Sequence, residues 1–428
     1  MPRNLAALTG FAWKSNRFFC ENLAVQDLAR QFGTPLYIYS RAALERSVGD
    51  YLRAVSGTRN RIFYAMKANA NLALLELMVR LGCGFDIVSG GELAKALAAG
   101  CPADRIVYSG VGKTCSEIEA AIRAGIHCFN VESEAELERI NEIAGRLGRI
   151  APIAFRVNPN VDAKTHPYIS TGLKNNKFGI AYDAAVKLFK RAASDEFPHV
   201  RVTGIDCHIG SQITEADPFI HAAEKVIDIV QKLEKAGIRL EHIDFGGGLG
   251  VCYGDETPPT PKKLIECVQF VCLKRGVENV ALYFEPGRSL VANAGVLAMS
   301  VQYVKPTQTK NFCIVDAAMN DMIRPALYEA QMEIVNTVKD GQEDAKKWDV
   351  VGPVCESSDF MGRDRILSVK AGDVLAMTGA GAYGMSMASN YNCRMRPAEV
   401  IVDGDKAYLV RERESTEDLL RHETTLPD

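Results

Sequence analysis

None of the twelve cysteines stands in a C-x-x-C, and the seven histidines show no zinc-like spacing against them. A structural metal is therefore not expected, and no metal ligand is assigned. The cysteines fall at 20, 83, 101, 115, 128, 207, 252, 267, 272, 313, 355 and 393, mostly within apolar runs, as buried thiols do. That usage points to a reducing cytoplasm. No apolar run is long enough to cross a bilayer, and the first residues lack the charged-then-apolar layout of a secretory signal. An excess of charge is missing as well: the formal net charge of −3 argues against nucleic acid or an anionic membrane as the main partner. Repeats and low-complexity stretches are absent.

What is there is length and rhythm. A chain of 428 residues buries a large core and divides into two domains. From about residue 60 to 290, short apolar runs alternate with helical segments. The runs lie at 62–66, 84–89, 105–109, 126–131, 153–158, 202–209, 242–245 and 281–284. Their near-continuous hydrophobicity suits parallel strands covered on both faces. Helices are predicted at 71–82, 92–99, 115–124, 134–147, 183–193, 218–236 and 261–275. Ser89…Glu92, Thr114…Glu117 and Ser133…Glu136 fit the capping box, and Asp217-Pro218 and Thr260-Pro261 put a capping residue before proline. Gly82, Gly100, Gly125, Gly237 and Gly276 close helices.

Eight such strands predict an α/β fold, a (β/α)₈ TIM-type barrel over 31–290, with a doubly wound open sheet as the alternative. Beyond about 291 the pattern turns to strands and turns, at 296–305, 312–316, 332–337, 348–355, 374–378, 398–402 and 407–411. Residues 1–30 and 291–428 are assigned to a second, mainly β-sheet or β-barrel domain. Residues 413–428 read as a helical or frayed tail.

Chemistry collects where strands end. In a parallel barrel, catalytic groups gather at the carboxyl ends of the strands. The first run, Arg61-Ile62-Phe63-Tyr64-Ala65-Met66, ends at Lys67. Burial of an unpaired ammonium is costly, so such a lysine tends towards the neutral amine that forms Schiff bases. Taken alone, the same lysine reads as one snorkelling to solvent. His208-Ile209-Gly210-Ser211 ends the sixth run, Gly246-Gly247-Gly248 the seventh and Glu285-Pro286-Gly287-Arg288 the eighth. Glycines there can bare backbone N–H groups to an anion. Singly, these are a core histidine, a tight turn and a solvated carboxylate. Together, an amine, an imidazole, a phosphate cradle and a carboxylate match the needs of pyridoxal 5′-phosphate.

These motifs, with Gly352-Pro353-Val354-Cys355-Glu356-Ser357, resemble the fold-type III pyridoxal-phosphate decarboxylases, of alanine racemase-like fold, over about residues 30–400. The resemblance implies that Lys67 carries the cofactor, His208 stacks on its ring and Glu285 keeps the ring nitrogen protonated. Ser211, Gly247, Gly248, Gly287 and Arg288 would hold the phosphate, with Tyr383 beside it. Arg288, Arg324 and Tyr328 would grip the substrate's distal carboxylate and Glu356 its distal ammonium, with Tyr383 completing the pocket. Cys355 would donate the proton. In that family Cys355 and Glu356 come from the partner, which makes a homodimer with shared active sites. The loop His166…Gly172…Lys177-Phe178-Gly179 would cover the site.

The implied reaction is decarboxylation of meso-2,6-diaminopimelate, a small-molecule substrate, to L-lysine and CO₂, the last step of lysine biosynthesis. The alternatives are a sibling acting on ornithine, arginine or carboxynorspermidine, a non-catalytic homologue, and a flavin- or metal-dependent barrel. A substrate with only a distal amine or guanidine would leave Arg288 and Arg324 facing like charge. A flavin would leave Lys67 and Glu285 without a role.

Overall fold

The computed structural model describes residues 10–162, 171, 176–339 and 345–427. It separates into two compact units, Val48–Gly250 with Pro258–Arg288, and Met1–Ser47 with Val251–Thr257 and Ser289–Asp428.

In the first unit all eight runs are strands: Arg61–Ala65, Gly84–Ile87, Ile106–Tyr108, Cys128–Val131, Ala151–Asn158, Val200–Asp206, His242–Asp244 and Ala281–Phe284. Each pairs in parallel with the next, and the last returns to the first through Tyr283↔Arg61 and Phe284↔Ile62. The ring is closed, which excludes the open sheet. Inward residues such as Phe63, Val107, Cys128 and Ala154 fill its middle as one buried cluster.

The helices between the strands begin and end for local reasons. Ser89, Thr114, Ser133 and Thr260 each accept the N–H three residues on. Of the three expected capping boxes, the reciprocal half forms at Glu117 alone. Glu92 and Glu136 reach one residue further back, to the N–H of Val88 and of Glu132. Asp217 is not a cap: it already lies in the helix Asp217–Lys235, preceded by Ala216 with no side-chain bond. Gly82 and Gly125 end their helices in the left-handed conformation, which glycine adopts without a Cβ clash.

The second unit is a mixed sheet around the long strand Gly295–Pro306, which pairs antiparallel with Leu36–Ser40, Asn311–Val315 and Val374–Thr378. Ala398–Asp403 runs parallel to Leu36–Ser40. The boundary expected near residue 31 therefore falls later, because the wholly buried Leu36–Ser40 finds its partners in this sheet. Three further short strands, Phe11–Lys14, Arg17–Cys20 and Leu23–Ala24, and the helix Val25–Phe32 pack on its core. Phe360–Leu367 is a strand that the apolar pattern did not reveal, since it is an edge strand with Arg363, Asp364 and Arg365 in its middle. The tail forms one short helix, Thr416–Leu420, capped by Ser415.

Candidate active site at the carboxyl end of the barrel

Because the eight strands are parallel and closed, the loops after all of them share one rim. Lys67 stands in the single helical turn Met66–Ala68 that follows the first strand. Its side chain is 38% exposed, and Nζ lies 3.3 Å from Oδ2 of the fully buried Asp86. Buried unpaired ammonium was thus the wrong premise: the amine is reachable and is faced by a carboxylate from the neighbouring strand.

His208 follows the sixth strand. Burial, then the positive charges of Lys67 and Arg156, hold its imidazole well below its ordinary pKa. Its Nδ1 accepts the Gly247 N–H at 3.1 Å, so the ring is neutral with its proton on Nε2.

The three glycines are required by close packing. A Cβ on Gly247 would stand 2.2 Å from the Glu285 carbonyl oxygen, and one on Gly248, at φ +115°, would stand 2.6 Å from that of Gly210. The turn is further tied down by Glu285 N–H to Gly246 O at 2.7 Å and Gly246 N–H to Asp244 Oδ1 at 2.8 Å. Gly287 similarly allows its loop to approach Ala65 and Ala68. Hence the N–H of Gly247 serves His208, and the glycines bring three loops into register. Arg288 is buried, and its Nε and NH2 donate to Ser211 Oγ at 3.3 and 3.1 Å. A hydroxyl that accepts from a guanidinium keeps its own proton for another acceptor, such as an anion.

Below these loops lies a layer of charge within the barrel. Carboxylate oxygens of Asp206, Asp244 and Glu285 lie within 4.8 Å of one another, and all three residues are buried. Burial, then Asp244, Asp86 and Asp206, push Glu285 well above the carboxylate range, while Lys67 draws it back. Burial likewise raises Asp244, to about 7. Arg156 offsets part of this, with Nε 3.8 Å from Asp206 and NH1 3.1 Å from Glu132. Asn130 donates to Glu285 at 3.4 Å. Oxygens Asp86 Oδ1, Asp206 Oδ1 and Asp244 Oδ2 are buried without hydrogen-bond partners.

Of this layer the sequence reading caught only Glu285. Asp86, Asn130, Arg156, Asp206 and Asp244 were missed, although a signal existed: each is a polar residue inside a barrel strand, and Asp86 and Asn130 stand alone in theirs.

The remaining expected residues belong to the second unit. Arg324 opens the short helix Arg324–Tyr328 and is buried, its guanidinium 4.5 Å over the Tyr253 ring with NH1 3.6 Å from Met332 Sδ. Surface ion pairing does not describe it. Tyr328 is partly exposed at the end of that helix. Cys355 and Glu356 sit exposed on a loop braced by buried Asp359, which accepts the N–H groups of Val354 and Met319 at 2.9 and 2.7 Å. Asn392 accepts the Cys355 N–H, and Tyr391 donates to Glu356 at 2.6 Å. Tyr383 holds a left-handed backbone at φ +55°. Within the expected covering loop, His166 and Gly172 lie outside the described residues.

The chain matches the family model described as "Pyridoxal-dependent decarboxylase, pyridoxal binding domain" over residues 41–292. A diaminopimelate decarboxylase of Haemophilus influenzae is 51% identical over 416 residues, 97% of this chain and 99% of its own. The crystal structure of diaminopimelate decarboxylase from M. jannaschii superposes with a TM-score of 0.94 at 44% identity, covering 99% of each chain. That of Helicobacter pylori, complexed with L-lysine, gives 0.88 at 42%, covering 92% of this chain and 98% of its own. A barrel that closes at Glu285, a reachable lysine, a neutral histidine and near full-length identity lead to one assignment: the chain belongs to the diaminopimelate decarboxylases of the fold-type III pyridoxal-dependent family.

Proposed function

We propose that this chain removes CO₂ from meso-2,6-diaminopimelate, leaving L-lysine, with pyridoxal 5′-phosphate held at the carboxyl-end rim. The observation that carries the reading is Lys67, His208 and Glu285 on one rim, with the charge of Lys67 acting on both other groups. The residues fit the cofactor: an amine for its aldehyde, a hydroxyl with a proton to give at Ser211, and a buried carboxyl at Glu285 for a ring nitrogen. When bound, pyridoxal phosphate supplies the electron sink for the pair left behind by CO₂.

The protein's own groups then divide the work. Lys67 would hold the cofactor through its amine. Glu285, in a low-dielectric floor, pairs with a cation far more strongly than it would in water. Neutral His208, fixed by Gly247, presents a ring face without adding charge. Ser211, Arg288 and Gly248 would receive the phosphate, with Gly247 and Gly287 giving close access and Tyr383 beside it. Arg288, Arg324 and Tyr328 select a distal carboxylate, because a planar guanidinium matches it in two hydrogen bonds. Glu356 receives the distal ammonium, and Cys355 holds the proton that replaces CO₂ on the α-carbon. In this reading the exposed Cys355–Glu356 loop works in the partner's site, making a homodimer with shared sites, and the enzyme acts in the cytoplasm.

The test is the purified protein's visible absorption and turnover. A yellow protein bleached by borohydride, with label fixed on Lys67, and turnover of meso-diaminopimelate over ornithine and arginine are expected. Preference for ornithine would overturn the substrate, and a colourless protein the cofactor.

A further inference from the structure

Two carboxyls meet on the barrel floor in a way that ordinary ion pairing does not explain. Asp244 Oδ1 is satisfied by the Gly246 N–H at 2.8 Å, but Oδ2 is buried without a partner. Its carboxyl faces that of Glu285, which accepts from Asn130 at 3.4 Å. Two ionised carboxylates are both acceptors and cannot hydrogen-bond; with one proton between them they can. The surroundings favour that proton. Facing Asp244 are Asp86, Asp206 and Glu285 on the acidic side, with Arg156 the cation, and Cys128, Cys207 and Tyr283 as unionised groups. Arg156 is spread over Glu132 and Asp206. Arg156 and the Lys67 ammonium beside Asp86 are two cations against the buried carboxyls of Asp86, Glu132, Asp206, Asp244 and Glu285.

We propose that Asp244 is a positioning residue that shares a single proton with Glu285 across the barrel floor, so that Glu285 keeps one oxygen, and the negative charge, for a cationic ring nitrogen above it. The inference rests on the cofactor reading only for that last clause. Burial, then Asp244, raise Asp206 well above the carboxylate range too, and Arg156, 3.8 Å away, draws it back towards the ionised form. On binding a protonated ring, the proton settles on Asp244 and the charge on Glu285, with no proton entering or leaving the floor. Asp244 touches neither substrate nor the reacting carbon, and acts through Glu285.

The test is infrared difference spectroscopy on the full-length protein, cofactor-loaded and cofactor-free, with Asp244→Asn and Asp206→Asn beside wild type. A protonated-carboxyl band that shifts in D₂O is expected in wild type, lost in Asp244→Asn and kept in Asp206→Asn. A band kept in Asp244→Asn, or lost in Asp206→Asn alone, overturns the proposal. Should Asp244→Asn fail to fold, the wild-type band decides, and its absence at neutral and lower pH overturns the pair. The acid limb of the kcat profile moves in Asp244→Asn, which a packing role alone would leave in place. The cofactor-free measurement stands whether or not the protein is yellow, so loss of the band and loss of the cofactor reading are separate results.

Discussion

The strand His242–Asp244 passes through both ends of the barrel and shows how differently each end uses a buried polar side chain. At the amino end, His242 stacks on Tyr283, ring centroids 4.4 Å apart and 13° from parallel, and His127 Nε2 lies 3.1 Å from the Tyr283 hydroxyl. Burial drives His242 down to about 3, so it is simply neutral and packs as an aromatic. A Cβ on Gly204 would stand 2.2 Å from its Nε2, so glycine makes the room. Two residues on, Asp244 is equally buried and, like His242 at Nε2, keeps one atom without a partner, but its neighbours are carboxylates. Neutralising an imidazole completes the amino-end cluster. Neutralising a carboxyl at the other end requires a proton whose position matters. Burial is the same at both ends, and each leaves a polar atom without a partner, His242 Nε2 and Asp244 Oδ2; only at the carboxyl end do several buried carboxyls crowd one another.

Substitutions can break or sharpen this contrast. The largest effect is expected for Lys67→Ala, which removes the visible cofactor band and lowers turnover by about 10⁴-fold or more; an active, yellow variant would mean that the carboxyl end is not the reactive one. Glu285→Gln removes the charge aimed at the ring nitrogen and lowers kcat by about 10²–10³-fold, measured with saturating cofactor. Stability against pH separates the ends next. Folding raises Asp244 from the ordinary carboxylate value of about 3.9, so the proton binds more tightly in the native state. Its contribution is present in full below that unfolded value and is lost as pH rises through about 7. The melting temperature of the cofactor-free protein falls across that window, and Asp244→Asn flattens the fall; an unchanged slope would count against it. The smallest effect on catalysis belongs to the amino end: His242→Phe destabilises by about 1–3 kcal/mol through its tighter fit against Gly204 and leaves kcat/KM in place. A selective loss of kcat there would erase the distinction drawn between the two ends.

Much of this was legible beforehand because local rules dominate it. Apolar runs of strand length, capping residues and glycines marked all eight barrel strands and the seven helices between them to within a few residues. Lys67, His208, the glycine turn and Glu285 were legible because each directly follows an apolar run. The reading failed where partners are distant. Leu36–Ser40 resembles any buried strand, and only its pairing with Gly295–Ala298 assigns it to the second unit. The polar residues inside barrel strands were passed over for a similar reason: one Asp in a run means little until closure sets Asp206, Asp244 and Glu285 side by side.

The sequence by itself therefore determined the alternation, the turns and the residues at strand ends, since each depends on neighbours within about one helical turn or strand length. Only the tertiary structure decided which carboxyls are neutral, where the Gly247 N–H points and what faces Lys67. Those depend on burial and on charges brought together from four barrel strands and the loops after others, and electrostatic energy follows distance through space rather than position along the chain.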